Sequence, residues 1–405
     1  MAAPTVTTDA ARATDPAVAK AMKTLTAQWY NAVVAGCGLD PDTFQLAQGA
    51  EQIGSTSEEL WNTLDALPPG SLTHQWNESR LDLLSAHYGD IVNNLVPERS
   101  GDFRRIMADD YPRWMDYLHG DPPPKMPDGG ILQLFHDWAQ VNMAPDDAQA
   151  AYTAWQQVAQ GTVPAAVGLW VAAGGQGATK AYDRTIAELE DALRPGAPGK
   201  TVVLDSTTTS KSVDHTWASG EVGGVLEFFA GEASEHWDKY TKAVSAAGVR
   251  IDAEFERVVS FPAGPLSKAS TNPDLEGYKP WFHGPALSLA YKENNYDVWE
   301  RKAPSWDDEF GPEGVMRYFV TELVVVSGVT VTTTSATTFT EKEREEVRAS
   351  AAYGFFPFFE GEHEGGWKHQ FSFSDSGALT VKSTVDVGVP ILLGANVTSV
   401  ARQFG

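Results

Sequence analysis

The chain has 405 residues, with 54 acidic against 30 basic side chains and a formal net charge of −24. That field repels phosphate backbones, and no Lys/Arg cluster offsets it, so nucleic acid and anionic membrane surfaces are disfavoured as partners. An apolar fraction of 42% and thirteen tryptophans describe a folded globular chain of about two to three domains. Cys37 is the only cysteine, which leaves no intrachain disulfide and no cysteine-based metal site. No apolar run reaches the roughly 18–20 residues of a membrane helix, and the first residues lack a basic and an apolar region. The expectation is a soluble, cytoplasmic protein without a signal peptide, with release by a signal-independent route left open.

Residues 1–14 read as a flexible arm. Asp15-Pro16 opens a helix, with Val18, Met22, Leu25, Trp29 and Val33 on one face and Gly36 and Gly38 ending it. Ser55 to Glu59 supplies caps and early acids for a second helix, which buries Leu60, Trp61, Leu64 and Leu67 and ends at Pro68-Pro69-Gly70. Helical periodicity continues over 76–95, 102–119, 130–142, 146–160 and 178–193. The cluster from Arg194 to Gly199 then punctuates the chain, so residues 15–195 are expected to form an all-helical domain.

From Lys200 the texture is β, and residues 200–405 are expected to form a second domain. The runs 201–209 and 323–334 are rich in Val and Thr, and 249–258 and 379–387 alternate apolar with polar residues. Two stretches share a register: Gly224-Val-Leu-Glu-Phe228-Phe229-Ala-Gly231-Glu232 with Trp237, and Gly354-Phe-Phe-Pro-Phe358-Phe359-Glu-Gly361-Glu362 with Trp367. Every matched pair is 130 positions apart (354 less 224). The fold class is therefore expected to be α+β and multi-domain. A helical domain would precede a mainly antiparallel, sandwich-like β domain built from a tandem duplication, with copies at about 200–266 and 325–394. An aromatic insertion, 267–318, lies between them.

Candidate chemistry is sparse. The insertion carries Trp281, His283, Tyr296, Trp299 and Trp306, which form the candidate ligand-binding set. Trp281 is weighed as a buried cap of the domain, and Trp299 and Trp306 as surface groups. Glu362, Glu364 and His369 are weak candidate metal ligands, because in an extended segment His363 between the two glutamates points away from them. Asp109-Asp110 with Asp116 lacks the helical spacing of a metal-diphosphate site, since Pro112 intervenes. The run from Gly174 to Lys180 lacks the order of a phosphate loop and reads as a turn between helices. Catalytic residues are unknown and no cofactor is predicted.

The Thr/Ser runs from Thr330 to Thr340 and from Ser206 to Ser212 resemble the amphipathic hairpins of aerolysin-type pore-forming toxins. That resemblance implies soluble strands able to become barrel strands. Within 330–340 the apolar residues Val331, Ala336 and Phe339 do not share a parity, so an exposed edge strand is the other reading. The leading functional expectation is a non-enzymatic binding or assembly protein that presents the aromatic insertion to a protein, small-molecule or glycan ligand. A β-hairpin membrane-active protein, without stable membrane insertion in its soluble form, is the alternative. An enzyme with a site between the helical domain and segment 278–306 is the third. A homo-oligomer is allowed.

Overall fold

The computed structural model describes residues 16–47, 52–68, 82–97, 100–120, 122–207, 248–301, 304–350 and 367–404. These residues form an α+β structure of thirteen helices and one antiparallel sheet.

Helix α1 (Pro16–Cys37) begins at the predicted proline, and the chain turns away at Gly38, whose φ of 72° needs no Cβ to accommodate. A short strand, β1 (Phe44–Leu46), follows. Helix α2 (Ser57–Asp65) starts with a capping box in which the Thr56 side chain accepts from the Glu59 N–H and the Glu59 carboxylate accepts from Thr56 N–H. Next come α3 (Leu84–Asn93), α4 (Ser100–Met107) and α5 (Asp110–Leu118). The predicted single helix over 102–119 is broken at Ala108, which adopts a φ of 43°. Helices α6 (Gly130–Asn142) and α7 (Pro145–Val158) match the predicted periodicity closely.

Helix α8 (Thr162–Ala172) lies outside the stretches whose periodicity predicts a helix. Pro164 lies in its first turn, where no intrahelical N–H bond is needed, so it does not break the helix. Helix α9 (Ile186–Ala192) is shorter than predicted, because 179–185 runs extended and bridges Pro265 through Tyr182.

The sheet comprises β2 (Lys200–Asp205), β3 (Val249–Pro262), the 21-residue β4 (Tyr318–Thr338), β5 (Lys368–Phe373), β6 (Ala378–Val385) and β7 (Ile391–Ser399), together with β1. Between β3 and β4 lie α10 (Gly284–Lys292) and α11 (Trp306–Phe310). Helix α12 (Glu341–Ser350) follows β4, and α13 (Val400–Phe404) ends the described chain. The order is β1-β7-β4-β3-β2, with β6 also on β4 and β5 on β6. The described strands thus belong to one sheet, not to two facing sheets. The second layer that a sandwich would supply is provided by α1, which packs on β2 and its neighbours through Trp29, Val33 and Val34.

Two apolar clusters hold these layers together. One gathers α2 to α9, the insertion and the first half of β4 with β7; Trp61, Tyr88, Trp114 and Trp281 sit inside it. The other lies between α1 and the opposite sheet face, with Ile251, Phe255, Val324 and Val329. At Gly394 a Cβ would stand 2.2 Å from Gln45 O, so only glycine lets β1 lie this close over β7.

Candidate functional site

The aromatic insertion is largely interior. Trp281 is fully buried among Tyr88, Trp170, Tyr182 and Phe282, and its indole N–H donates to Ala181 O at 2.7 Å. That is the environment of a packed aromatic whose polar handle is satisfied. Trp299 is also buried and donates to Ala290 O at 3.1 Å. Trp306 is half-buried, donates to Tyr291 O at 2.8 Å and lies against Phe310.

His283 caps the N-terminus of α10, and its backbone N–H donates to the Tyr88 hydroxyl at 2.8 Å. Only Tyr296 stands well out, 65% exposed, with the Arg301 guanidinium 4.3 Å from its ring centre. The five candidates therefore do not converge on one surface: Trp281 with His283 belongs to one aromatic group, Trp299 with Trp306 to a second, and Tyr296 stands apart. The expectation that Trp299 faces outward gives way to burial, because Phe310 and the Leu95 backbone enclose it.

Glu362 and Glu364 lie outside the described residues. His369 falls in β5, paired with Ser383 of β6. Among the described residues no group of three or more His, Cys, Asp or Glu is placed to hold a metal ion. The glycine run before Lys180 turns out of α8, and Lys180 folds back onto it, donating to Gly175 O at 2.5 Å and Ala178 O at 3.0 Å. Its ammonium is spent on the loop's own carbonyls. Burial pushes the Cys37 thiol up to about 11, which leaves little of the reactive thiolate.

Two features escaped the sequence reading. His87 on α3 bonds the Glu309 carboxylate of α11 at 3.0 Å through Nδ1 and approaches Asp82 at 3.4 Å through Nε2. The Glu309 bond raises the imidazole pKa above its ordinary value, against the opposing effect of burial. His87 and Glu309 are 222 positions apart, so no local motif announces the pair.

The second feature is the sheet itself. Beyond Gly328, β4 is a central strand paired with β3 on one side and β6 on the other, not an edge. One row crosses four strands without interruption: Asp205, Arg250, Thr334 and Thr380. Past this row the Ser206–Gly248 connection leaves the sheet; β4 ends on the same side and leads to α12, and β5 begins at Lys368 opposite Thr384, towards the other end of this half. One face of this half is buried through Val202, Ile251, Val331 and Val381, and the other presents Thr201, Glu254, Thr332 and Lys382. Thr333, Ser335 and Ser383 are buried on the apolar side, so the face is continuous although several of its members are hydroxyl residues.

Among the described residues no helix is long and apolar enough to cross a membrane. No family model, curated protein or solved structure matches the chain.

Proposed function

We propose that the chain is a membrane-active protein of β-hairpin type, in which the half-sheet β2-β3-β4-β6-β5 carries, between β2 and β3, a connection that extends it into lipid. The observation that carries this reading is the antiparallel half-sheet with the Ser206–Gly248 connection leaving its end; that connection and the stretch between α12 and β5 both contain the glycine, Phe-Phe and tryptophan pattern at a constant offset. The Ser206–Gly248 connection is long enough for a hairpin of two strands of about 9–11 residues, whereas the stretch between α12 and β5 is too short for one. Backbone groups entering lipid must be paired, and a pre-existing antiparallel meander offers the register for pairing them.

An internal duplication, if it is present, would fit the same reading. Shifting the β2–β3 pair Lys200 and Phe255 by 130 predicts 330 opposite 385; β4 and β6 pair Thr330 with Thr384, one residue away. The β2–β3 and β4–β6 pairs would then be the two copies. The strongly acidic surface favours zwitterionic over anionic membranes.

Dye release from phosphatidylcholine vesicles tests the reading. The full chain is expected to release a trapped fluorophore. Replacing residues 213–242 by a short Gly/Ser linker is expected to abolish release with little change in the melting temperature. No release from neutral or anionic vesicles between pH 5 and 8 (roughly the range of host compartments) would reject it. A binding protein acting through the insertion has less support, since Trp281 and Trp299 are committed to the interior.

A further inference from the structure

A cleft of about 370 Å³ lies where α3, α5 and α8 all end. Its size is within the range of small-ligand sites. Asn93, His119 and Gln176 contribute its polar wall, and Leu118, Pro123 and Trp170 its apolar one. Trp170 can stand there because α3 has a glycine opposite: a Cβ on Gly89 would lie 2.3 Å from its ring. Gly177, with a φ of 81°, leaves the rim open, since a Cβ there would meet nothing within 4 Å.

Charge narrows the ligand. Three helix C-termini direct carbonyl dipoles toward this corner, which by itself would favour a cation. The chain supplies that cation: Lys180 sits on the loop carbonyls, 4.4 Å over the Trp170 ring and 5% exposed. No carboxylate or ammonium is among the lining side chains, so an ion of either sign meets a balanced field and loses its hydration without a partner.

Hydrogen-bonding capacity is unspent. The Asn93 Oδ1 is shielded from water and has no partner, a costly state for a buried acceptor. Asn93 and the exposed Gln176 both line the cleft, so a half-turn of the Asn93 carboxamide would offer that oxygen to a ligand. We propose that the cleft binds a neutral polyhydroxylated ligand, a sugar of one or two rings. Its hydroxyls would bond Asn93 and Gln176, and its C–H face would rest on Pro123 beside the rims of Leu118 and Trp170. The site is built by helices alone and does not depend on the membrane reading.

The test is saturation-transfer NMR and titration calorimetry on the full chain at pH 7. The probes are glucose, galactose, mannose and N-acetylglucosamine, with choline and inorganic phosphate as charged comparisons. At least one sugar is expected to bind, and Gln176→Ala, an exposed change, to weaken it roughly tenfold with no shift in melting temperature. Asn93→Leu, which keeps the volume and removes the acceptor, is expected to weaken it at least as much. The proposal is overturned if no sugar binds at about 10 mM, well above a weak millimolar Kd. It is equally overturned if neither variant weakens binding, or if choline or phosphate binds in place of the sugars. Vesicle dye release is untouched by any of these outcomes, so the two readings fail separately.

Discussion

Strand β4 passes through two environments, and its composition changes between them. From Leu323 to Val326 every residue is at most 1% exposed. Leu323 and Val325 enter the helical core, while Val324 and Val326 enter the core beneath α1. A strand covered on both faces reads as an unbroken apolar run. From Thr330 to Thr334 only alternate positions are buried, and threonine fills the open ones. One strand can thus be fixed in the interior at its first half and half-solvated at its second. Gly328, with a φ of 62°, marks the change: a Cβ there would lie 2.8 Å from Glu256 Cβ and 2.9 Å from Val387 Cγ2.

The contrast is sharpest if mutations on the two sides differ in kind. Trp281 lies at the centre of the helical core that covers the first half. Trp281→Ala is expected to cost about 3–5 kcal/mol in denaturant unfolding, through lost packing and a cavity. Tyr296→Ala, in the same insertion but exposed, should stay within about 0.5 kcal/mol. Equal losses for both would mean that the insertion is not held by its interior tryptophans.

A reciprocal exchange tests the strand itself. Val324→Thr puts a hydroxyl where both faces are covered, and should cost about 1–3 kcal/mol. Thr332→Val changes the open face, and should alter stability by no more than about 0.5 kcal/mol. If the two swaps cost the same, the difference between the halves is not one of coverage. At the junction, Gly328→Ala should cost about 1–3 kcal/mol, because a left-handed φ is forced on a residue that also meets close neighbours. A melting temperature equal to the parent would mean that β4 relaxes there freely.

Much of this was legible where the signal is local. The Thr56 capping box, the Pro16 helix start, α6 and the alternation in 249–258 need only their own residues, and each appears in the fold. Helix α8 was missed because Pro164 and Gly168 look like breakers until their positions in the helix are known. The parity of 330–340 was misread because buried hydroxyls such as Thr333 and Ser335 count as polar in a pattern while packing on the apolar face. The candidate aromatic set was found by composition alone. Composition does not tell an interior tryptophan bonded to a carbonyl from an exposed one. The repeated motifs of residues 224–237 and 354–367 lie outside the described residues except for Trp367, which packs against the core beneath α1, so the two copies are not compared directly.

The smallest expected effect concerns the tie between the helices and the insertion. His87 is faced by Asp82, Asp90 and Glu309, and its pKa is raised above the ordinary 6.5 or so, chiefly by the Glu309 bond. A raised folded value means that the protonated imidazole stabilises the fold. That contribution is complete below about pH 6.5 and is lost as pH rises through the folded pKa. Unfolding midpoints in guanidinium should therefore fall with pH in this window. Lys180 acts in the opposite sense at higher pH. Burial lowers its pKa to about 8, so its penalty is lifted as pH rises from there toward the free-lysine value. Asp65 and Asp90, raised mainly by burial, make stability fall as pH rises above the ordinary carboxylate values, in parent and variant alike. The decisive comparison is the parent chain against His87→Gln between pH 6 and pH 8. The parent's midpoint should decline and the variant's should be flatter, with the two curves converging at the alkaline end. Parallel curves would show that the His87–Glu309 contact carries no net charge-dependent stability, and that α11 is held by Trp306 and Phe310 alone.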